Sequence, residues 1–331
     1  MKESIYIFSS GELKRKDNTL YFETTKGERK YIPVEQVSEI LIFGEIIINK
    51  KILEFISQKE IILSCFNHYG YYMGSYYPRE HYNSGFMILK QVKTYLDESD
   101  RLRVATQFVK GAAKNVLRIL HYYNRRGKVL KKDINLVENE VKKISKTRST
   151  HELMATEGSI KYYYYRAFNR IIGNKEFKFE RRNRQPPKDY INALISFSNM
   201  LIYSYVLKEI YHTHLDPRIG FLHSTNFRRF SLNLDIAEIF KPVIGDRTIF
   251  YVVNKKVISS KDFVKELNGV LLNDMGKQKF LKHIEERMGQ TIKHGKMKKN
   301  VSYRRLIRLE LYKLEKHLMG DQKYRPFVME W

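Results

Sequence analysis

Residues 215–242 contain a histidine and two carboxylates with a spacing that suits a divalent cation. A turn and a short apolar run end at His223, and an amphipathic segment begins at Ser231. If that segment is helical, Asp235 and Glu238 are three residues apart and share one face. Two neighbouring carboxylates repel each other unless a positive charge lies between them, and the imidazole would complete a set of nitrogen and oxygen donors for a metal ion. The alternative is a surface helix with two solvated acids and an unrelated histidine.

Arginines are concentrated in two loops that could bind phosphate. The first loop, residues 180–187, ends in two prolines shortly before a predicted helix, and arginines at a helix N-terminus suit a phosphate group. The second loop joins His223 to Ser231. The candidate phosphate contacts are Arg181, Arg182, Arg184, Arg228 and Arg229.

The net charge indicates the same kind of partner. The 331-residue chain has 61 Lys and Arg against 36 Asp and Glu, a formal net charge of +25. Basic side chains that meet phosphates release condensed counterions, so this excess favours a nucleic acid. With a mean hydropathy of −0.49, no apolar stretch long enough to span a bilayer and no lipidation motif, we expect no membrane partner. A single cysteine, Cys65, and an N-terminus without a signal peptide predict a cytoplasmic protein.

The period of the hydrophobic residues divides the chain into two regions. Residues 1–85 have the pattern of short strands, with a hairpin over 19–33 and one helix over 50–58 that Asn49 caps. From about residue 90 the period changes to 3.6. The predicted fold class is therefore α+β, with a small β-rich N-terminal domain, residues 1–85, and a larger all-α domain, residues 90–331.

Start and stop signals place several helices in the second region. Two capping pairs, Ser149–Glu152 and Ser259–Asp262, each predict that a helix follows. The lysine-rich run at 293–299 is either a solvated loop or a contact to the DNA backbone. The predicted helices cover residues 91–126 with a break near 97–100, 129–146, 150–172, 189–211, 231–240, 263–267, 280–288 and 303–319.

Several stretches of the sequence resemble one known family. LDPRIGFLH and SLNLDIAEIFKP contain the histidine and the two carboxylates, while MATEGSIKYYYYRAF and RRNRQPPKDYINALISF lie upstream of them. SGELKRKDNTLYF and IPVEQVSEILIFG lie in the β-rich region. Together they resemble the CRISPR-associated integrase that captures new spacers, the Cas-one family.

The resemblance implies which residues form the site. Glu157, His223 and Glu238 would bind one Mg²⁺ or Mn²⁺ ion, and Asp235 would be either an auxiliary ligand or a residue that orients the site. These four are the candidate catalytic residues. A lone glutamate in a helix is usually solvated, so the assignment of Glu157 rests on the resemblance.

The resemblance also implies an activity and partners. The family's activity is that of a metal-dependent DNA endonuclease and integrase, which inserts spacer DNA into the CRISPR array when a DNA 3′-OH attacks a phosphodiester bond, as part of antiviral defence. Its partners would be prespacer and CRISPR-repeat DNA, a second copy of the chain and the small Cas-two protein. Residues 1–85 would form the homodimer, and residues 90–331 would bind DNA and metal.

Other readings of the same residues remain open. A non-enzymatic, basic nucleic-acid-binding scaffold would bind DNA without a metal, and an RNA-processing nuclease that relies on histidine would cleave in EDTA. His212 and His214, close to Asp216, could form a second metal site, although no matching distant pair of ligands accompanies them.

Overall fold

The architecture is seen in a computed structural model that describes residues 3–67, 69–78, 82, 84–183, 186–225, 230–266, 269–295 and 298–330. The chain divides into two compact units, Met1–His81 and Tyr82–Trp331. The first unit is rich in strands and the second is mostly helical, which confirms the predicted fold class. The roles predicted for the two domains, dimerisation and catalysis, stay predictions.

Among the residues that the structure describes, the first unit contains two four-stranded sheets and one α-helix. One sheet has the order β1-β5-β7-β8, in which β1, β5 and β7 are parallel and β8 is antiparallel to β7. The other has the order β4-β3-β2-β6, and its β3–β4 pair is the predicted hairpin. The elements are β1 (Glu3–Ile7), β2 (Gly11–Lys16), β3 (Thr19–Thr24), β4 (Arg29–Ile32), β5 (Val37–Ile42), β6 (Ile46–Ile47), α1 (Lys50–Gln58), β7 (Ile62–Phe66) and β8 (Tyr72–Tyr76).

The core of this unit explains why α1 forms where it does. Asn49 accepts a hydrogen bond from the Ile52 backbone N–H at 3.1 Å, as the sequence predicted for a capped helix start. The apolar stripe of α1 then buries Ile52, Phe55 and Ile56 in the cluster that strands of both sheets also enter. Capping fixes the start of the helix, and burial of the stripe stabilises it.

The second unit contains ten α-helices among the described residues, together with two short hairpins. The helices are α2 (Gly85–Leu96), α3 (Glu98–Arg125), α4 (Lys131–Lys143), α5 (Thr150–Arg166), α6 (Phe168–Ile171), α7 (Tyr190–Tyr211), α8 (Ser231–Phe240), α9 (Arg247–Asn254), α10 (Asp274–Gly289) and α11 (Tyr303–Met319). The hairpins pair β9 (Phe263–Glu266) with β10 (Gly269–Leu272) and β11 (Thr291–His294) with β12 (Lys299–Ser302).

Two predictions of local structure in this unit were wrong. The Ser259–Asp262 capping box is present, but it begins only a short 3₁₀ turn, and the segment predicted to be helical over 263–267 is strand β9. The helix predicted over 150–172 ends at Arg166 and is followed by the separate short helix α6. The lysine-rich run at 293–299, interpreted above as either a solvated loop or a contact to the DNA backbone, has its described ends in β11 and β12, and the contact to DNA stays a prediction.

Helix α8 lies in the core of the second unit and positions the candidate site. It packs against α3, α7 and α11, and nearly all its residues are buried. A π-helical turn, Pro242–Asp246, follows it directly. Helix α7 is long and apolar enough to cross a membrane, but 78% of its apolar window is buried inside the protein, as in the core helix of a globular domain.

Candidate active site

The loop that presents His223 is folded around the carboxylate of Asp235. Asp235 Oδ2 accepts hydrogen bonds from the backbone N–H groups of Phe221 at 2.6 Å and Leu222 at 3.0 Å. Oδ1 accepts the backbone N–H of His223 at 3.0 Å and lies 2.7 Å from its ring Nδ1. The Asp235 side chain is fully buried, so these bonds take the place of water. With the proton on Nδ1, the neutral imidazole carries its lone pair on Nε2, where a metal ion can bind.

Close packing at Gly220 makes this arrangement possible. A Cβ atom at Gly220 would lie 2.8 Å from Asp235 Oδ2 and 2.6 Å from the backbone carbon of Ser231. The Ser231 hydroxyl also accepts the Gly220 N–H at 2.9 Å. The turn before His223 therefore requires a residue without a side chain, and α8 begins against that turn.

Two residues from the first helices of this unit hold the turn from the other side. The fully buried Gln91 of α2 donates to the carbonyl oxygens of Asp216 and Ile219, and it accepts the Asp216 N–H at 2.7 Å. Arg101 of α3 donates through Nε to the Phe221 carbonyl at 2.9 Å. The loop that carries His223 is thus fixed by side chains on both α2 and α3.

Two carboxylates from different helices meet at one ammonium group. Lys161, one turn after Glu157 on α5, contacts Glu157 Oε1 and lies 2.8 Å from Glu238 Oε2. Glu157 Oε1 is buried and accepts no hydrogen bond of ordinary geometry from the described residues. Its contact with Lys161 is therefore an ion pair. Lys241 lies 2.6 Å from the other oxygen of Glu238 and donates to the Tyr203 hydroxyl at 2.7 Å.

The electrostatics of this cluster follow from burial and mutual attraction. Burial alone would raise the pKa of Glu238, but Lys161 and Lys241 outweigh it and hold that pKa far below its usual range. Burial would lower the pKa of Lys161, yet Glu238 and Glu157 raise it well above normal. Glu238, Lys161 and Lys241 are therefore charged at neutral pH. Two lysines thus supply the positive charge beside Glu157 and Glu238.

The predicted ligands form two groups. Glu157 and Glu238 share Lys161, and His223 pairs with Asp235. Within the described part of the chain, no three His, Cys, Asp or Glu side chains lie close enough together to hold a metal ion. The donor chemistry still fits a hard divalent cation, since two carboxylates converge on the Lys161 ammonium and the His223 imidazole is oriented by Asp235 of α8, the helix that also carries Glu238. The three-ligand set stays a prediction.

The alternative metal site was predicted at His212 and His214, close to Asp216. His214 Nδ1 lies 2.6 Å from the Tyr82 carbonyl oxygen, and Asp216 pairs with Arg218. Neither joins a metal-binding group in the described residues.

The predicted phosphate contacts differ in what the structure shows of them. Arg181 is exposed. Arg182 is half-buried and donates to Asn192 Oδ1 at 2.9 Å and to Ser196 Oγ at 3.1 Å, so it also fixes its loop to α7. Arg184, Arg228 and Arg229 lie outside the described residues.

Asp246 is a member of the site that sequence reasoning missed. It is buried at the end of the π-helical turn, a feature that is frequent at functional sites. Burial raises the pKa of its carboxyl to about 7, although Tyr164 and Lys241 act in the opposite direction. Lys161 and Lys241 were also not assigned, although their spacings from Glu157 and Glu238 allow ion pairs within a helix.

We expect Asp246→Asn to gain stability relative to the wild type as the pH rises from 5 to 8. The folded carboxyl ionises near pH 7, whereas the unfolded one ionises near pH 4. The folded state therefore holds the extra proton between these values. The stability that this proton gives to the folded wild type is fully present below the pKa of the unfolded state. It is lost as the pH rises through the pKa of the folded state. From pH 5 to pH 8, the free energy of unfolding of the wild type should therefore fall by on the order of 3 kcal/mol relative to that of the variant. Urea unfolding at both pH values measures it, and an unchanged difference would contradict it.

Comparison with known proteins agrees with the resemblance seen in the sequence. A family model described as CRISPR associated protein Cas1 matches residues 5–286. The chain belongs to the Cas1 family. A CRISPR-associated endonuclease Cas1 of Thermodesulfovibrio yellowstonii is 58% identical over 331 residues, which is 100% of both chains.

Solved structures share the Cas1 fold. A Cas1 protein from Thermotoga maritima superimposes with a TM-score of 0.88 at 46% identity, covering 99% of this chain and 100% of that one. A casposase bound to integration product gives a TM-score of 0.89 at 20% identity, covering 99% and 93%. At that identity the casposase shows a common fold alone.

Proposed function

We propose that this Cas1 protein is a divalent-metal-dependent DNA endonuclease and integrase that inserts spacer DNA into a CRISPR array as part of antiviral defence. The observation that carries the proposal is the full-length, 58% identity to a CRISPR-associated endonuclease Cas1. The site supports it, because Glu157 and Glu238 converge from separate helices on one positively charged group, the Lys161 ammonium. The protein would act on DNA in the cytoplasm.

Each residue of the site has a distinct part in this proposal. Glu157, His223 and Glu238 would hold Mg²⁺ or Mn²⁺, which when bound neutralises charge on the phosphate and favours attack by a hydroxyl group. Asp235 fixes the imidazole tautomer and the loop that carries it. Lys161 and Lys241 together hold the pKa of Glu238 low, so that this carboxylate stays ionised.

A branched DNA substrate tests the activity. It should be nicked, and a free 3′ end joined to it, with Mn²⁺ but not with EDTA. A non-enzymatic scaffold would bind the same DNA equally in both conditions and give no products in either. Cleavage in EDTA would instead indicate a metal-independent nuclease.

We expect the affinity for DNA to fall steeply with salt, because the net charge is +25. If about six phosphates are neutralised, the dissociation constant should rise by about 10³-fold between 50 and 200 mM salt. Fluorescence anisotropy with a labelled duplex measures this. A flat salt dependence would mean that the basic side chains do not determine binding.

The partners of this chain are part of the same proposal. Edge strands of the first unit expose apolar side chains, with Met73 of β8 68% exposed and Ile47 of β6 67% exposed. Such edges are usually covered, and a second copy of the chain would cover them. Light scattering in moderate salt should therefore give a homodimer, and a monomer at micromolar concentration would contradict it. The small Cas-two protein and prespacer and repeat DNA are proposed on family membership.

A further inference from the structure

Lys161 occupies the position between the two carboxylates that the proposed function assigns to a metal ion. Its ammonium contacts Glu157 and lies 2.8 Å from Glu238. Lys241 lies on the other oxygen of Glu238. Two carboxylates and two ammonium groups therefore lie in contact in one cluster.

A divalent cation and the Lys161 ammonium cannot share this position. Oxygen ligands lie about 2.0–2.1 Å from Mg²⁺, which is shorter than the Lys161–Glu238 contact at 2.8 Å. An ion bound to both carboxylates would therefore lie against the ammonium, and like charges at such a distance repel strongly. One of the two cations has to leave.

Lys161 is better placed to move than Lys241. Its side chain is 27% exposed, and a lysine has a flexible four-carbon stem. The Lys241 side chain is 10% exposed, donates to the Tyr203 hydroxyl, and its Nζ lies 4.6 Å from the centre of the Tyr203 ring. Lys161 therefore bridges the two carboxylates with a partly exposed side chain, whereas Lys241 is held in place by Tyr203.

We propose that Lys161 is a built-in counter-ion, which positions Glu157 and Glu238 in the metal-free protein and is displaced when the divalent cation binds. This inference rests on the proposed function, because it takes the two carboxylates to be metal ligands. Lys161 is a positioning residue. Its displacement lowers the affinity for the metal and couples metal binding to a movement of one side chain on α5.

Binding of Mn²⁺ to the DNA-free protein, measured by the electron paramagnetic resonance signal of the unbound ion, tests the proposal without any activity assay. Lys161→Met keeps the length of the side chain and removes the competing charge, so it should bind Mn²⁺ at least about tenfold more tightly than the wild type, or about 1.4 kcal/mol. Lys316→Met, on the exposed side of α11, makes the same change in net charge and should leave the affinity unchanged.

A second measurement covers the case in which Lys161→Met folds poorly. In EDTA the variant should unfold at a lower temperature than the wild type, since its two carboxylates lose their shared cation. Saturating Mn²⁺ should raise its Tm by more than it raises that of the wild type. Lys161→Gln, which can still donate a hydrogen bond, should show the same pattern to a smaller extent.

The outcomes separate this inference from the proposed function. If the wild type binds Mn²⁺ and Lys161→Met binds it equally or more weakly, Lys161 is not a competing counter-ion, and the metal site remains. If neither protein binds Mn²⁺, the metal site itself fails, and this inference fails with it.

Discussion

Replacing Glu157 by glutamine, His223 by alanine or Glu238 by glutamine should abolish Mn²⁺-dependent nicking and strand joining. Each change removes one proposed metal ligand, and the charge on the reacting phosphate then lacks its main compensation. The glutamines are chosen because they keep the shape of the carboxylates. Glu238→Ala would leave the buried Lys241 ammonium without its carboxylate partner, at a cost of about 3–5 kcal/mol.

Binding and folding serve as the controls for these three variants. Affinity for duplex DNA should stay close to that of the wild type, because the basic surface supplies it. Circular dichroism and thermal unfolding show whether each variant is folded. Full Mn²⁺-dependent activity in folded Glu157→Gln would remove α5 from the site, and with it the connection between the upstream glutamate and α8.

Local signals in the sequence located the elements that are fixed by their own residues. Helix α1 begins after Asn49, whose side chain caps it. The long helix predicted over 91–126 breaks at Asp97, because that side chain accepts the Asp100 N–H and begins α3. Capping and apolar periodicity are properties of neighbouring residues, so a single sequence reveals them.

The structure departs from the sequence-based expectation where pairing with another strand, and not the segment's own residues, decides the conformation. Strand β9 follows a genuine capping box, but Phe263–Glu266 pairs with β10 and so becomes extended. The lysine-rich hairpin likewise depends on a pairing between strands. Neither pairing leaves a periodic signal in four residues.

The same limit applies to the candidate site. The contact of Lys161 with Glu238 joins α5 to α8, and the hydrogen bonds of Asp235 join α8 to the preceding loop. Sequence reasoning identified the carboxylates and the histidine by type and by resemblance. It could not show that Lys161 would lie between two of them, or that Asp235 would point to backbone amides.

Asp235→Ala should lower the free energy of unfolding as well as remove an auxiliary ligand, because the carboxylate holds the loop together. It accepts three backbone N–H groups and meets the His223 ring, all in a buried position. Each buried amide left without an acceptor costs about 1–3 kcal/mol, so the variant should lose on the order of 5 kcal/mol of its free energy of unfolding. Urea unfolding measures this, and a loss below about 1 kcal/mol would contradict the role of Asp235 in the fold.

Asp235→Asn separates the structural role from the chemical one. An asparagine oxygen in the Oδ2 position can still accept the Phe221 and Leu222 N–H groups, so this variant should be more stable than Asp235→Ala. Its amide NH₂ would then face His223 Nδ1, and the imidazole would have to accept there and carry its proton on Nε2. The lone pair needed by the metal would be lost, and Mn²⁺ affinity should fall by about 10–100-fold. ¹⁵N chemical shifts of His223 report the tautomer directly. A folded Asp235→Asn protein with the wild-type tautomer and undiminished Mn²⁺ affinity would show that Asp235 does not orient the histidine.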